Sequence, residues 1–335
     1  MTSALTLESL SNALATPAQL SSSSSSLDGI PSDLESSIRF AGALLTQAAG
    51  ILLRLPEDVI TQAIVIFTRF WIGPDGGSFA IQSTKDVSAA SLYLMAKLSF
   101  HPTSPRSVLN VYNYLLSKQA SPLWFVNPSG VDGKPKPETY YLSEGGYQSQ
   151  RLVLLKTETI ILRTLGFNTH VVIPHTIALT YLQTINAASS ALGKRVFEHL
   201  NASLLSPQLL YVTHQPNALA VAAIYLSARE VGVKLAEDEW WEVFDVDREE
   251  LGFLVVAMNS RKVSQERRRN LGRVRRYHSS SRMSKRNFSN DSHKKANEGM
   301  YHDLDMMMQS YDEIVERFTY TCQIYGTERL VFSSV

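Results

Sequence analysis

Two charged residues stand on what would otherwise be apolar helix stripes. Glu158 lies between Leu154-Leu155 and Ile161-Leu162, on a stripe that continues to Leu165. Residues three and four apart share a helix face, so this carboxylate sits on or beside a greasy surface. Lys97 follows Tyr93 and Leu94 by four and three residues, at the end of an alanine-rich segment. A cation in the last turn of a helix is favoured by the helix dipole, by about 0.3–1 kcal/mol. Two readings stand at this level: both side chains skirt the edge of a buried face and extend to water, or they serve a partner.

Other chemistry is hard to find. Gly76-Gly77 lacks the lysine and spacing of a phosphate-binding loop, and no kinase catalytic-loop signature is present. The eight histidines are scattered, with no helical pair backed by a carboxylate. His170, His175, His199 and His214 therefore read as core-edge or loop residues. The single cysteine, Cys322, excludes an internal disulfide and a cysteine-based zinc site and points to a reducing compartment. No catalytic residue, metal or cofactor is expected, which leaves binding as the candidate activity and argues against an enzyme.

The elements that position Lys97 and Glu158 come from the pattern of the whole chain. With 335 residues, 44% of them hydrophobic, there is material for about two domains. No apolar run approaches the roughly 20 residues of a membrane span, and the Met1-Thr-Ser-Ala start is not that expected of a secretory signal. Residues 1–31, with the run Ser21–Ser26, are expected to be disordered. Ser32-Asp33 then offers an N-cap. Phe40, Leu44, Ala48, Ile51, Leu52 and Leu55 recur at helical spacing up to Pro56. Helices are expected next from Pro56 to Gly73-Pro74, over Ser88 to Leu98, and over Pro105 to Ser117. Residues 121–146 read as a surface insertion. A fifth helix is expected over Gln150 to Leu165, closed by a left-handed Gly166.

The second half repeats the theme. Helices are expected over Pro174 to Ile185, Gly193 to Leu204, Pro216 to Val231 (ending at Gly232), Asp238 to Phe244, and Asp247 to about Asn259. Asp247 and Glu250 have the spacing of a capping box. Ala90-Ser-Leu-Tyr93-Leu94-Met-Ala96-Lys97 echoes Ala222-Ala-Ile-Tyr225-Leu226-Ser-Ala228-Arg229, which suggests a central helix in each of two related bundles. The fold class is all-α.

These residues resemble the cyclin family, and cyclin L with its fungal relatives in particular. The resemblance rests on Leu44-Leu-Thr-Gln-Ala-Ala-Gly-Ile-Leu-Leu-Arg-Leu-Pro56, Leu94-Met-Ala-Lys97, and Thr157-Glu158 with Ile-Ile-Leu-Arg-Thr-Leu-Gly-Phe167, His170 and Pro174-His175. In the second half it rests on Gln215-Pro216, Ala222 to Arg229, and Trp240 with Phe244. It implies two tandem five-helix cyclin boxes, 32–168 and 169–260, flanked by the disordered N-terminus and a basic tail, 261–335. It also implies a regulatory subunit that binds and activates a cyclin-dependent protein kinase in RNA polymerase II transcription and pre-mRNA splicing. By the same resemblance Lys97 and Glu158 contact the kinase's mobile regulatory helix, and Leu98, Leu162 and Phe167 add apolar area. A departure is that Leu98-Ser99-Phe100 stands where cyclins usually carry two acids.

The tail is charge-segregated, with eleven Lys/Arg between Arg261 and Arg286 against Glu266 alone. Such a cluster fits nuclear import or contact with RNA or splicing factors, or a merely solvated tail. A TFIIB-like nucleic-acid-binding factor and a kinase-independent scaffold are the competing classes. The first would need a basic face on the boxes, and none is evident in the pattern. The expected compartment is the nucleus, with no membrane partner.

Overall fold

Prolines and capping hydroxyls set most of the helix starts. The computed structural model describes residues 10–117, 121, 140–235 and 239–259, and every regular element among them is helical. Two short helices, α1 (Pro17–Ser21) and α2 (Ser24–Leu27), come first. A bundle follows of α3 (Ser32–Leu52), α4 (Glu57–Phe70), α5 (Thr84–Leu98), α6 (Pro105–Leu116) and α7 (Glu144–Thr164). The second bundle holds α8 (Pro174–Thr184), α9 (Ser190–Leu204), the single turn α10 (Leu210–Thr213), α11 (Pro216–Val231) and α12 over 248–259.

α4 is the hub of the first bundle. Ile64, Val65, Ile66 and Phe67 are all sealed from water, so no face is left for solvent. α3 and α5 cover part of it, and α9 and α10 of the second bundle pack against the rest. α3 can approach because Gly42 and Gly50 face α4. A Cβ at Gly42 would run into the Phe67 ring, and one at Gly50 would come within 2.5 Å of Ile60 Cγ1. α5 is the central helix that the alanine pattern suggests, buried from Val87 to Ala96. A hydroxyl chain ties it to its neighbours: Thr46 Oγ1 lies 2.6 Å from Ser88 Oγ, which lies 2.7 Å from Tyr112 Oη. Thr46 also donates to Gly42 O at 2.8 Å. Burial pushes the Tyr112 phenol well above its usual range, so it remains a neutral member of this chain. α11 plays the corresponding part in the second bundle and ends at Gly232, whose φ of 80° is left-handed as expected of a C-cap glycine.

Several boundaries differ from expectation. α3 starts after Pro31, which makes no side-chain cap, so Ser32 is its first helical residue rather than its cap. α5 begins at Thr84 because the Ser83 hydroxyl accepts from Asp86 N. α7 begins at Glu144, inside the segment read as insertion. Ser143 caps it, the Arg106 guanidinium donates to Glu144 at 2.6 Å, and the same guanidinium lies 4.0 Å from the Tyr147 ring. Of the helix expected over Asp238 to Phe244, a 3-10 turn at Glu242–Phe244 is seen, while 236–238 lie outside the described residues. Asp247 does accept from Glu250 N at 2.7 Å.

Residues 10–31 correct the expectation of disorder up to residue 31. Asn12 is buried and exchanges two hydrogen bonds with Val172: Nδ2 donates to Val172 O at 2.8 Å, and Val172 N donates to Oδ1 at 2.7 Å. Its backbone exchanges two more with the Gln215 side chain. Ala15 N donates to Val212 O at 2.7 Å. Further along, Ser24 and Ser25 hold the loop after α4. The serine run lacks apolar area, but its hydroxyls find fixed partners on the bundles, which offsets the cost of ordering it. Residues 1–9 and the tail 261–335 lie outside the described residues.

One polar cluster joins the two bundles. Asn201 Nδ2 donates to Glu57 Oε1 at 2.6 Å, and Asn201 Oδ1 lies 2.9 Å from His175 Nε2. Glu57 opens α4, whereas His175 is the second residue of α8. His175 is sealed against the Phe197 edge, 4.0 Å from the Glu57 carboxylate. Burial lowers its pKa below 6.5, outweighing the upward pull of Glu57 and Asn201. The folded state thus binds fewer protons than the unfolded chain between that lowered value and 6.5. Stability is then fully present above about pH 6.5 and declines as pH falls through the window below it. Thermal unfolding at pH 7.5 and 5.5 should show a lower Tm at 5.5, and His175→Gln should shrink that difference.

Candidate functional site

The charged pair singled out in the sequence comes together in space. Lys97 sits in the last turn of α5 and Glu158 in the fifth turn of α7, and these two helices pack side by side. Lys97 Nζ forms a salt bridge with Glu158 Oε1. The ammonium also lies 4.8 Å from the centre of the Tyr93 ring, one turn back on α5, a cation–π contact that adds to its positioning. The two members are not equally accessible. The Lys97 side chain is 39% exposed, whereas that of Glu158 is 8% exposed. Lys97 can therefore offer its remaining N–H donors outward, while Glu158 fixes its direction from beneath. A buried carboxylate requires such a partner, because desolvating it alone costs several kcal/mol. The only other carboxylate this deeply buried among the described residues is Glu35, which is paired with Arg39.

Apolar side chains follow both residues along the chain. Leu98, next to Lys97, is 59% exposed, and Phe100 is fully exposed at the end of the same helix. Leu162 lies one turn beyond Glu158 on α7 and is half-buried. Phe167 follows α7 and is 69% exposed. Gly166 has the left-handed conformation expected of it, with φ 57°, but Phe167 has it too, with φ 61°. An aromatic residue held there costs about 1–2 kcal/mol. Its N–H donates to Leu162 O at 2.8 Å, which locks the turn. A strained, solvent-facing aromatic is a functional signal.

All five residues singled out in the sequence thus lie at the ends of α5 and α7 or on the turn that follows. Tyr93, Phe100 and the strain at Phe167 were missed. The four-residue spacing of Tyr93 and Lys97 could have signalled the first; nothing in the sequence signals a left-handed phenylalanine. The second bundle repeats part of the arrangement, with Arg229 Cζ lying 5.8 Å from the Tyr225 ring at the end of α11. No ion pair to Arg229 occurs among the described residues. Of the four histidines expected at the core edge or in loops, His175 and His199 are instead buried and hydrogen-bonded to Asn201 and Glu230, whereas His170 is exposed and His214 is half-buried against Phe253. No cluster of potential metal ligands occurs among the described residues.

No protein-family model matches the chain. It is 32% identical over 247 residues to Cyclin-L2 of Homo sapiens, which takes in 73% of this chain. It is 30% identical over 244 residues to Cyclin-L1 of Danio rerio, taking in 72% of this chain. This chain is cyclin L-like. The matches span 44% and 45% of those two relatives, so the chain corresponds to less than half of their length. The fold agrees with a chain of the yeast RNA polymerase II CTD kinase CTDK-1 complex, at a TM-score of 0.58 and 10% identity, over 74% of this chain and 72% of that one. The two bundles of the cyclin L-like chain are tandem cyclin boxes, and the Lys97–Glu158 pair belongs to the first.

Proposed function

We propose that the chain is a regulatory subunit, not an enzyme, and that it binds and activates a cyclin-dependent protein kinase through the surface around Lys97 and Glu158. The observation that carries this reading is the pair itself: an outward-facing ammonium held by a buried carboxylate, with the exposed Leu98, Phe100 and Phe167 and the half-buried Leu162 near the ends of the same two helices. A fixed cation suits the polar end of a partner helix, whose last carbonyls lack donors. Binding only the kinase conformation in which that helix is swung in would shift the population to the active state. Likeness to cyclin L supports this, as does a fold shared with a chain of a CTD-kinase complex. The same likeness supports work in transcription and pre-mRNA splicing in the nucleus, with the basic tail contacting RNA or splicing factors.

The missing acids after Lys97 favour a second reading, a kinase-independent scaffold. One experiment separates the two. Capture with the tagged chain from nuclear extract should recover a cyclin-dependent kinase by mass spectrometry, with kinase activity in the eluate. Recovery of other proteins without a kinase would support the scaffold and remove both the regulatory reading and the site, and recovery of a kinase without activity would remove activation. Phe167→Gly should lower recovery about tenfold by losing apolar contact, yet leave the Tm unchanged or slightly raised because the left-handed strain is relieved.

A further inference from the structure

The serines of the N-terminal segment are spent on contacts that a phosphoryl group could not make. Ser24 Oγ is shared between two acceptors, Pro74 O at 2.6 Å and Gly76 O at 2.9 Å, and Ser24 N donates to Gly73 O at 3.2 Å. Ser25 Oγ is buried and accepts from Phe79 N at 3.1 Å. Ser23 Oγ donates to Glu35 Oε2 at 2.8 Å and caps α2 by accepting from Ser26 N at 3.0 Å. At its other end the segment holds the second box, through Asn12 on Val172 and Gln215 and Ala15 on Val212. Residues 12–28 therefore brace one box to the other with polar contacts. Their helices, of five and four residues, are too short to persist once detached. Local opening of such a segment is a low-energy event.

We propose that Ser24 is a phosphorylation site whose modification releases this brace. The step takes a protein kinase and a nucleoside triphosphate. Ser24 Oγ attacks the γ-phosphorus and an O–P bond forms. The bond from that phosphorus to the β-γ bridging oxygen breaks, the nucleoside diphosphate leaves, and the hydroxyl proton passes to the kinase's base. The product carries about −1.5 to −2 charge at pH 7 and has lost the serine O–H donor. Redocking would aim it at the carbonyls of Pro74 and Gly76, with the Asp75 carboxylate between them in sequence. Neither segment offers a cation in return, because 10–31 and 71–83 contain no lysine or arginine. Arg39, the guanidinium nearest Ser24 along the chain, is already paired with Glu35, and Arg69, four residues before Gly73, donates to His170 O. Modification of the opened segment thus traps it open. Ser22 differs, since its hydroxyl reaches only Ala18 O of its own helix, at 3.5 Å.

The test places phosphoserine at position 24 or at position 22 of the full chain by expanded-code incorporation and follows hydrogen exchange. With phosphoserine at 24, the amides of Ser24, Phe79 and Val172 should exchange at least tenfold faster, Val172 reporting release at the far end of the brace. With phosphoserine at 22, and in Ser24→Ala, these amides should stay protected. Unchanged protection at position 24, or equal loss at position 22, overturns the release mechanism. The chain isolated from eukaryotic cells should carry phosphate on Ser24 by peptide mass spectrometry, and its absence there overturns the site.

Discussion

Replacing Lys97 and Glu158 together by alanine is expected to weaken kinase binding by about 2–5 kcal/mol, at least about thirtyfold in Kd, while helicity is retained. The single replacements separate binding from folding. Lys97→Ala removes the outward donor and also strands a carboxylate whose side chain is 8% exposed, so both affinity and Tm should fall. Glu158→Gln keeps a hydrogen-bond acceptor for the lysine without the charge, and the double replacement Lys97→Ala, Glu158→Gln should recover Tm but not affinity. That split is the signature of a pair in which one member contacts the partner and the other positions it. Isothermal titration with the captured kinase, together with thermal melts of each variant, reads both quantities. Affinity unchanged in all three variants would place the binding surface elsewhere.

Trp71→Ala should be the most destabilising of the changes considered, by about 3–5 kcal/mol. Trp71 is fully buried just past α4, stacked on Phe79 at 3.8 Å between ring centres, with Phe70 and Phe67 edge-on at 4.8 and 5.9 Å. Removing it opens a cavity next to the helix that both boxes share. Domains have about 5–15 kcal/mol of stability in all, so a loss of this size takes a large share. It also frees Phe79, whose amide holds Ser25. Urea unfolding should show a lower midpoint, and hydrogen exchange should show residues 23–28 opening before the rest. A Trp71→Phe variant, which keeps a ring, should lose much less.

The fold was legible wherever local chemistry decides. Pro216 and Gly232 bracket α11 to the residue, and Pro105 opens α6, because ring closure and left-handed backbone are properties of single residues. The alanine echo pointed to α5 and α11 as the central helices because small side chains permit close approach whatever the neighbours are. Legibility failed where a distant group decides. Gly145-Gly146 looks like loop, but α7 starts ahead of it because Arg106, on another helix, grips Glu144 and Tyr147. The serine run looks unfoldable by composition, yet its hydroxyls meet acceptors up to 52 residues away. At the site, spacing put Lys97 and Glu158 on greasy stripes, and resemblance put them together. Neither revealed that Glu158 is the buried member, because burial depends on how α7 lies against α5.

The tyrosine under Arg229 bears on how many partners one chain can hold. The second box carries the aromatic shelf and the cation at the tip of its central helix, but among the described residues no acid pins that cation. An arginine without such a pin presents its donors less rigidly, so the proposed anchor is expected in the first half alone. A titration of the kinase into the chain should therefore saturate at a single equivalent, leaving the other lobe available as a lever or a shield.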